Sequence, residues 1–337
     1  NNNLGYKNMR ALMLREIGKP ENLRLENVPD PTPKPTEVLV NMETAAVNFP
    51  DLLTIEGKYQ FRPELPFAPG KEGAGIVSAV GSKVANVKVG DRVMIQVEFG
   101  SFAEKALVPE QECYLVPPKV RMEQAAALGI AFQTAYFALV ERALVQPGEK
   151  VLITGGSGSV GLAAIQLAKI FECEVIAGLT TPSKAKIVRQ NGADHVIDLS
   201  GNNLKERIRE DVFKYTKGEG VDVVIEIVGG EVFSGSIRCL NFRGRLVVVG
   251  FTSGIIPELR TNYLLLKNIT VMGLDRGQYR DREPNWMRTV QEKIFEFCVE
   301  GKVSMPIQAR FKLNEFIKAF DLIRNREIKG KVLLDVR

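Results

Sequence analysis

The sequence predicts an α/β fold in which a doubly wound parallel sheet is inserted into a β-barrel-like unit. Three observations carry this. Short β-type segments punctuated by Gly and Pro fill residues 9 to about 131. Strands then alternate with helices from about 132 to 274. Residues 275–337 end in a strand-like run that the first region needs to be complete. The inserted sheet would leave a cleft between two domains.

With 337 residues, 45% hydrophobic and 25% charged, the chain has the composition of a globular protein and material for one to three domains. Its net charge is +5, but Lys and Arg are interspersed with Asp and Glu, which disfavours a nucleic-acid partner. No apolar run approaches the ~18 residues that span a bilayer. Cysteines stand far apart, at 113, 173, 239 and 298. They form no metal-type cluster and fit reduced thiols. A cytoplasmic location is expected, or the mitochondrial matrix if a presequence has been removed. The polar residues 1–8 before Met9 fit an expression remnant, an ordinary extension or the end of a processed segment.

In the first region, residues 11–14, 23–26, 37–46, 75–80, 92–97 and 103–109 carry strand patterns. The run PDPTPKP, 29–35, must be a surface connection, because proline cannot donate to a ladder. Helical patterns occur at 50–55 and 122–128. The stretches 45–60 and 65–77 combine turns with few free polar groups, as a cleft wall would.

The middle region opens on an apolar strand at 151–153, followed by Gly156, Gly158 and Gly161 in G-x-G-x-x-G order and then helical spacing. In that context the first glycine suits the tight turn. The second lets a pyrophosphate approach the backbone, and the third lets the helix press on the strand. A dinucleotide site follows, with the diphosphate on the helix N-terminus. Strands at 174–178, 195–198, 221–228, 245–250 and 269–273 alternate with helices at 182–191, 204–216 and 232–240. Thr181 and Pro182 suit the start of the first of these helices.

An NAD site usually places an acid about 20 residues after the glycines. Here that position holds Gly178, Leu179 and Thr180, followed by Thr181, Ser183 and Lys184. Hydroxyls and a lysine suit a 2′-phosphate, so NADPH is the expected cofactor. Val228–Gly229–Gly230 and Gly250–Phe251–Thr252–Ser253 lie at carboxyl ends of strands, where ligands of such sheets bind. The single histidine, His195, starts an outer strand on the adenosine side and is an unfavourable candidate for acid–base work. Helices are read at 289–300 and 313–325, with a closing strand at 331–336.

Together VNFPD (47–51), PGKEGAGIV (69–77), VGDRV (89–93), AAALGIAFQTAY (125–136), the glycine motif, NGADHVID (191–198) and GKVLLD (330–335) resemble the zinc-independent, zeta-crystallin-like quinone oxidoreductase branch of the medium-chain dehydrogenase/reductases. The likeness covers nearly the whole chain from Met9. It implies a Rossmann NADPH-binding domain at 132–274 inserted in a GroES-like catalytic domain made of 1–131 and 275–337. Asn48 and Thr134 would flank the nicotinamide, and Tyr59 would face the acceptor. Gly156, Ser157, Gly158, Ser159, Val160 and Gly161 would hold the diphosphate. Thr180 and Lys184 would take the 2′-phosphate, with Val228, Phe251 and Ser253 along the cofactor. Arg276 would lie near the cleft mouth as an ordinary surface arginine, able to attract an anionic substrate. Leu53 stands where some quinone reductases carry a tyrosine, so any role of that residue is missing.

Zinc-dependent members resemble this chain but carry a ligand cysteine where Asn48 stands and a ligand histidine where Lys71 stands. Glu72 alone cannot make a site, since catalytic zinc needs three protein ligands. The expected metal content is therefore none. The resemblance implies NADPH-dependent reduction of a quinone. Reduction of activated double bonds in enals, enones or enoyl-CoA is the alternative within enzymes. A non-catalytic NADPH-binding or RNA-binding crystallin-like role is the alternative outside them. A homodimer joined at the strand near 269–273 is implied as well. Elemental analysis of the purified protein is expected to find no stoichiometric zinc, and one equivalent per chain would overturn the argument from Asn48 and Lys71.

Overall fold

The computed structural model describes residues 7–336; residues 1–6 of the polar N-terminal segment lie outside them. The chain divides into two compact units, Asn1–Ile130 with Gln291–Arg337, and Ala131–Val290.

The first unit opens with an antiparallel pair, β1 (Asn8–Met13) and β2 (Arg24–Pro29). Strand β3 (Glu37–Val47) follows, then helix α1 (Phe49–Ile55), β4 (Glu72–Val80), β5 (Arg92–Gln96), β6 (Lys105–Pro109), β7 (Cys113–Leu115) and α2 (Met122–Ala127). In β3, Val38, Val40 and Met42 are fully buried at the period of two that a strand imposes.

The second unit follows α3 (Ile130–Tyr136) with β8 (Lys150–Thr154), α4 (Ser159–Ile170), β9 (Glu174–Leu179), α5 (Ala185–Gln190), β10 (His195–Asp198) and α6 (Leu204–Tyr215). It continues through β11 (Val221–Glu226), α7 (Gly230–Ser236), β12 (Leu240–Val248), α8 (Asn262–Lys267), β13 (Thr270–Gly273) and α9 (Arg276–Arg282). Its sheet runs β10-β9-β8-β11-β12-β13, parallel throughout. Strands covered on both faces need continuous apolar runs, and residues 151–153 and 223–225 are such runs, all 0% exposed. The strand order reverses between β8 and β11, so the crevice beyond their carboxyl ends is the place for a ligand.

Helix α10 (Pro284–Val299) leads the chain back to the first unit, which ends with β14 (Ile307–Lys312), α11 (Phe316–Arg324) and β15 (Lys331–Asp335). There β15 inserts beside β3, giving the sheet order β14-β15-β3-β4-β5-β7 with β6 also on β3. Phe320 of α11 packs edge-on against Phe102, centroids 6.2 Å apart, inside the core of this unit.

The structure departs from the sequence reading in places. The strand expected to 228 stops at Glu226. The helix expected at 182–191 opens with a 3₁₀ turn, Pro182–Lys184, and Thr181 makes no side-chain cap bond. Strand β12 starts at Leu240, ahead of the expected 245.

Gly161 explains how α4 reaches its strand. A Cβ there would lie 2.3 Å from the Gly155 carbonyl oxygen and 2.7 Å from Gly156 Cα. Both are backbone atoms and cannot swing away. Gly161→Ala is expected to destabilise the second unit by about 1–3 kcal/mol, the range for overpacking. Thermal unfolding checks this, and an unchanged midpoint would refute the close-packing argument.

Candidate functional site

In the second unit the glycine turn joins β8 to α4. Gly155, one residue before the expected tight-turn glycine, holds the left-handed conformation at φ +64°. Gly156 instead packs on β9: its N–H donates to Gly178 O at 3.0 Å, and a Cβ would meet Ala177 Cβ at 3.1 Å. Gly158 stands at the N-cap of α4, and a Cβ there would find only Gly155 O, 3.6 Å away. The space above that backbone is open. Ser157, Ser159 and Val160 surround it half-buried. The first N–H groups of a helix lack intrahelical partners, so this corner suits an anion.

The Gly156–Gly178 bond brings the turn next to the carboxyl end of β9. Thr180 is exposed there, while Lys184 is 8% exposed. No acid stands between Ala177 and Lys184.

At the end of β11 sits a residue the sequence reading passed over. Glu226 is fully buried. Its Oε1 accepts the N–H groups of Val228 at 2.7 Å and Gly229 at 2.8 Å, and lies 3.1 Å from Thr154 Oγ1. Thr154 Oγ1 in turn accepts Ile227 N–H at 2.9 Å. These bonds turn the chain out of the ladder, which is why β11 ends two residues early. Burial pushes the Glu226 carboxyl above its usual range, against the pull of the Gly229 and Val228 amides. The available signal was an acid inside an otherwise apolar run.

The same strand end gathers the 250–255 loop. Thr252 and Ser253 donate backbone N–H to Ile227 O (3.1 Å) and Val228 O (2.9 Å), and Gly230 donates to Ile255 O (3.0 Å). Val228 and Ser253 are thereby neighbours, with Phe251 40% exposed. Thr134 lies half-buried on α3 beside Gln133, whose Oε1 accepts Arg276 Nη1 at 3.1 Å. Arg276 is half-buried and engaged by Gln133. His195 sits at the opposite, amino end of the sheet. Its Nε2 is 3.0 Å from Glu174 Oε1 and its ring stacks on Tyr215 at 4.3 Å, a structural setting. Burial first, then Glu149, pushes the Cys173 thiol up to about 11, and burial pushes Cys239 to about 12.

In the first unit a polar cluster closes the ends of three adjacent strands. Asn48 leaves β3 and precedes α1. Its N–H donates to Asp51 Oδ2 at 2.7 Å and its Nδ2 to Glu72 Oε1 at 3.3 Å. Lys331 donates its ammonium to Asn48 Oδ1 and lies 3.2 Å from Glu72 Oε1. Glu72 Oε2 accepts Ile130 N–H at 2.8 Å. Lys331 and Glu72 are 2% and 0% exposed. Next to them Lys71 Nζ donates to Glu98 O at 2.9 Å and sits 4.2 Å from the centroid of the half-buried Tyr59 ring. Asn48 is thus joined to Glu72 and Lys331, and Tyr59 to Lys71. Among the described residues no three His, Cys, Asp or Glu side chains gather at a point that could hold a metal.

Asp51 is fully buried, and its Oδ1 has no hydrogen-bond partner among the described residues. Burial pushes its carboxyl up to about 7, against the lowering by Lys71 and the Asn48 N–H, with Glu72 raising it further. The folded value lies above the unfolded one, so the contribution to stability is complete at acid pH and is lost as pH rises through about 7. Asp51→Asn is expected to remove this loss, on the order of a few kcal/mol across that window. Denaturant unfolding of both proteins from acid to mildly alkaline pH checks it, and parallel pH curves would refute it.

The chain is similar over most of its length to known proteins. Residues 34–118 fit the alcohol dehydrogenase GroES-like domain, and residues 159–292 fit the zinc-binding dehydrogenase family model. Quinone oxidoreductase-like protein 2 of Bos taurus is 39% identical over 333 residues, covering 98% of this chain and 93% of that protein. Quinone oxidoreductase of Homo sapiens is 36% identical over 272 residues, 80% of this chain and 81% of that one. The Escherichia coli quinone oxidoreductase, solved in complex with NADPH, superposes with a TM-score of 0.88 at 28% identity, covering 97% of this chain and 100% of that one. The chain belongs to the quinone oxidoreductase branch of the medium-chain dehydrogenase/reductase superfamily, with a GroES-like domain and a Rossmann parallel sheet.

Proposed function

We propose that this oxidoreductase reduces quinones with NADPH and without zinc. The observation that carries the reading is the filling of the polar cluster in the first unit. The two positions that hold zinc ligands in zinc-dependent members are Asn48 and Lys71. Glu72, joined to Asn48 in this cluster, is engaged by Lys331 and Ile130 N–H. A site so filled offers no Lewis acid to a simple alcohol. It suits acceptors that delocalise the charge left by a hydride, as quinones do.

The residues present fit the cofactor. The open backbone at Gly158 and the N-terminus of α4 suit a diphosphate, held by Ser157, Ser159 and Val160 on the turn that Gly156 and Gly161 shape. Thr180 and Lys184, with no acid between Ala177 and Lys184, suit a 2′-phosphate. Val228, Phe251 and Ser253 would line the cofactor, with Thr134 and Asn48 at the nicotinamide and Tyr59 at the acceptor. Bound NADPH would supply the hydride, while the chain orients the acceptor and excludes water. The names of the relatives and the NADPH complex of the Escherichia coli enzyme support this reading. We also propose a homodimer through β13, an open sheet edge near the exposed Leu265 and Leu266 of α8. No helix among the described residues is long and apolar enough to cross a membrane.

The test follows NADPH oxidation against benzoquinone and naphthoquinones, 2-alkenals and short enoyl-CoAs, each repeated with NADH. Turnover of quinones with NADPH is expected. Faster turnover of an enal or enoyl-CoA would move the protein to the double-bond reductases. Tight NADPH binding without any turnover would favour a non-catalytic role. Lys184→Ala is expected to raise the KM for NADPH roughly 10–100-fold, the worth of a charge-assisted hydrogen bond, and to leave NADH unchanged.

A further inference from the structure

Lys331 is a charged side chain held 2% exposed in the first unit. A buried ion pair is seldom the most stable filling of such a space, because removing two charges from water costs more than their attraction commonly returns. An apolar side chain of similar length would avoid that cost. The backbone is nevertheless shaped to deliver this one. Gly330 holds φ +81°, and a Cβ there would meet Pro306 O at 2.2 Å. The carboxylate it faces is closely packed too: a Cβ on Gly129 would lie 2.9 Å from Glu72 Oε2.

The three side chains form a closed ring. Lys331 donates to Asn48 Oδ1, Asn48 Nδ2 donates to Glu72 Oε1, and Glu72 Oε1 faces Lys331 Nζ at 3.2 Å. The amide can be oriented in one way only, its oxygen on the ammonium and its nitrogen on the carboxylate. An amide nitrogen carries two hydrogens. The ring uses one, and Asn48, itself half-buried, retains the other.

We propose that Lys331 is a positioning residue for the reduction. Its ammonium fixes and polarises the Asn48 amide, so that the remaining Nδ2 hydrogen meets the acceptor oxygen. The inference rests on the reading under Proposed function that puts Asn48 at the nicotinamide, where an acceptor must lie to take the hydride, and it adds Asn48 to Tyr59 as a group facing that acceptor. In the reaction the acceptor takes a hydride from reduced nicotinamide, which leaves as NADP⁺. The negative charge grows on the acceptor oxygen, which takes one proton from water. A donor already hydrogen-bonded to a cation is a stronger donor, since linked hydrogen bonds polarise one another. One sealed ammonium thus does part of what a metal ion does in zinc-dependent members.

The experiment compares wild type, Lys331→Met, Lys331→Arg, Asn48→Ala and the double variant Lys331→Met/Asn48→Ala. Each is measured for thermal midpoint, NADPH affinity by fluorescence, and kcat and KM with a benzoquinone. Lys331→Met is expected to bind NADPH as wild type does and to lose about 10²-fold in kcat, the size of one lost donor to a developing oxyanion, with KM for the quinone little changed. Lys331→Arg is expected to recover part of that loss. The double variant is expected to fall within about threefold of Asn48→Ala alone, because coupled groups are not additive. Should Lys331→Met fail to fold, Lys331→Gln carries the same comparison with a donor but no charge. Wild-type kcat in a folded Lys331→Met or Lys331→Gln, or fully additive losses in the double variant, would overturn the proposal alone. An inactive wild type that binds NADPH would overturn it together with the functional reading beneath it.

Discussion

The contact between Lys331 and Glu72 fixes the first unit at the point where three strands end side by side. Strand β15 pairs with β3 through Val332 and Val47, and β3 pairs with β4 through Ala46 and Glu72. Lys331, Asn48 and Glu72 are each at or beside those pairs. Two opposite charges sealed there tolerate little movement, since either one left alone in a dry interior is strongly destabilising. The strand register and the orientation of the Asn48 amide therefore depend on one another. Asp51, one turn into α1, holds the Asn48 N–H and so extends the constraint into the following helix.

The second unit solves a related problem in a related way. Glu226 ends β11 as Glu72 begins β4, and each is a fully buried acid that accepts backbone N–H: Glu226 from Val228 and Gly229, Glu72 from Ile130 at the start of α3. Loops at strand ends expose amide groups that the ladder no longer uses. A carboxylate can collect several such groups at once and hold the loop in a single shape. Around Glu226 this shapes Gly229, held at φ +79°, where a Cβ would meet Ile255 O at 2.6 Å. Rigidity at the two candidate subsites comes from buried acids rather than from aliphatic packing alone.

Much of this was legible in the residues. The parallel strands are apolar runs because both faces are covered. The glycine turn follows from spacing and context, although Gly155 rather than Gly156 takes the left-handed position. Strand β14 carries the alternation of an edge strand, with Ile307, Ala309 and Phe311 half-buried between exposed polar residues, but it is short and lies at the margin of the sheet. Strand β7 is only three residues long. Glu226 is marked only as an acid near the end of an apolar run: two of its partners are backbone amides, which every residue supplies, and another, Thr154, stands 72 residues away. Lys331 lay in view within GKVLLD, but its partner Asn48 stands 283 residues away. Periodicity describes neighbours along the chain and is silent on pairs formed by topology.

That separation bears on how the protein is made. Strand β3 emerges from the ribosome early, yet its partner β15 emerges only after the whole of the second unit. Contacts between distant segments form slowly, because the loop between them must close first. Domains that are contiguous in sequence generally fold as units during synthesis. The parallel sheet can therefore assemble while the first unit still waits with an open edge on β3. Until residue 331 arrives, Glu72 has no buried cation to meet and Asn48 has no fixed amide. The first unit is thus the last part to become itself, and a chain interrupted before β15 would release a formed parallel sheet attached to an unfinished first unit.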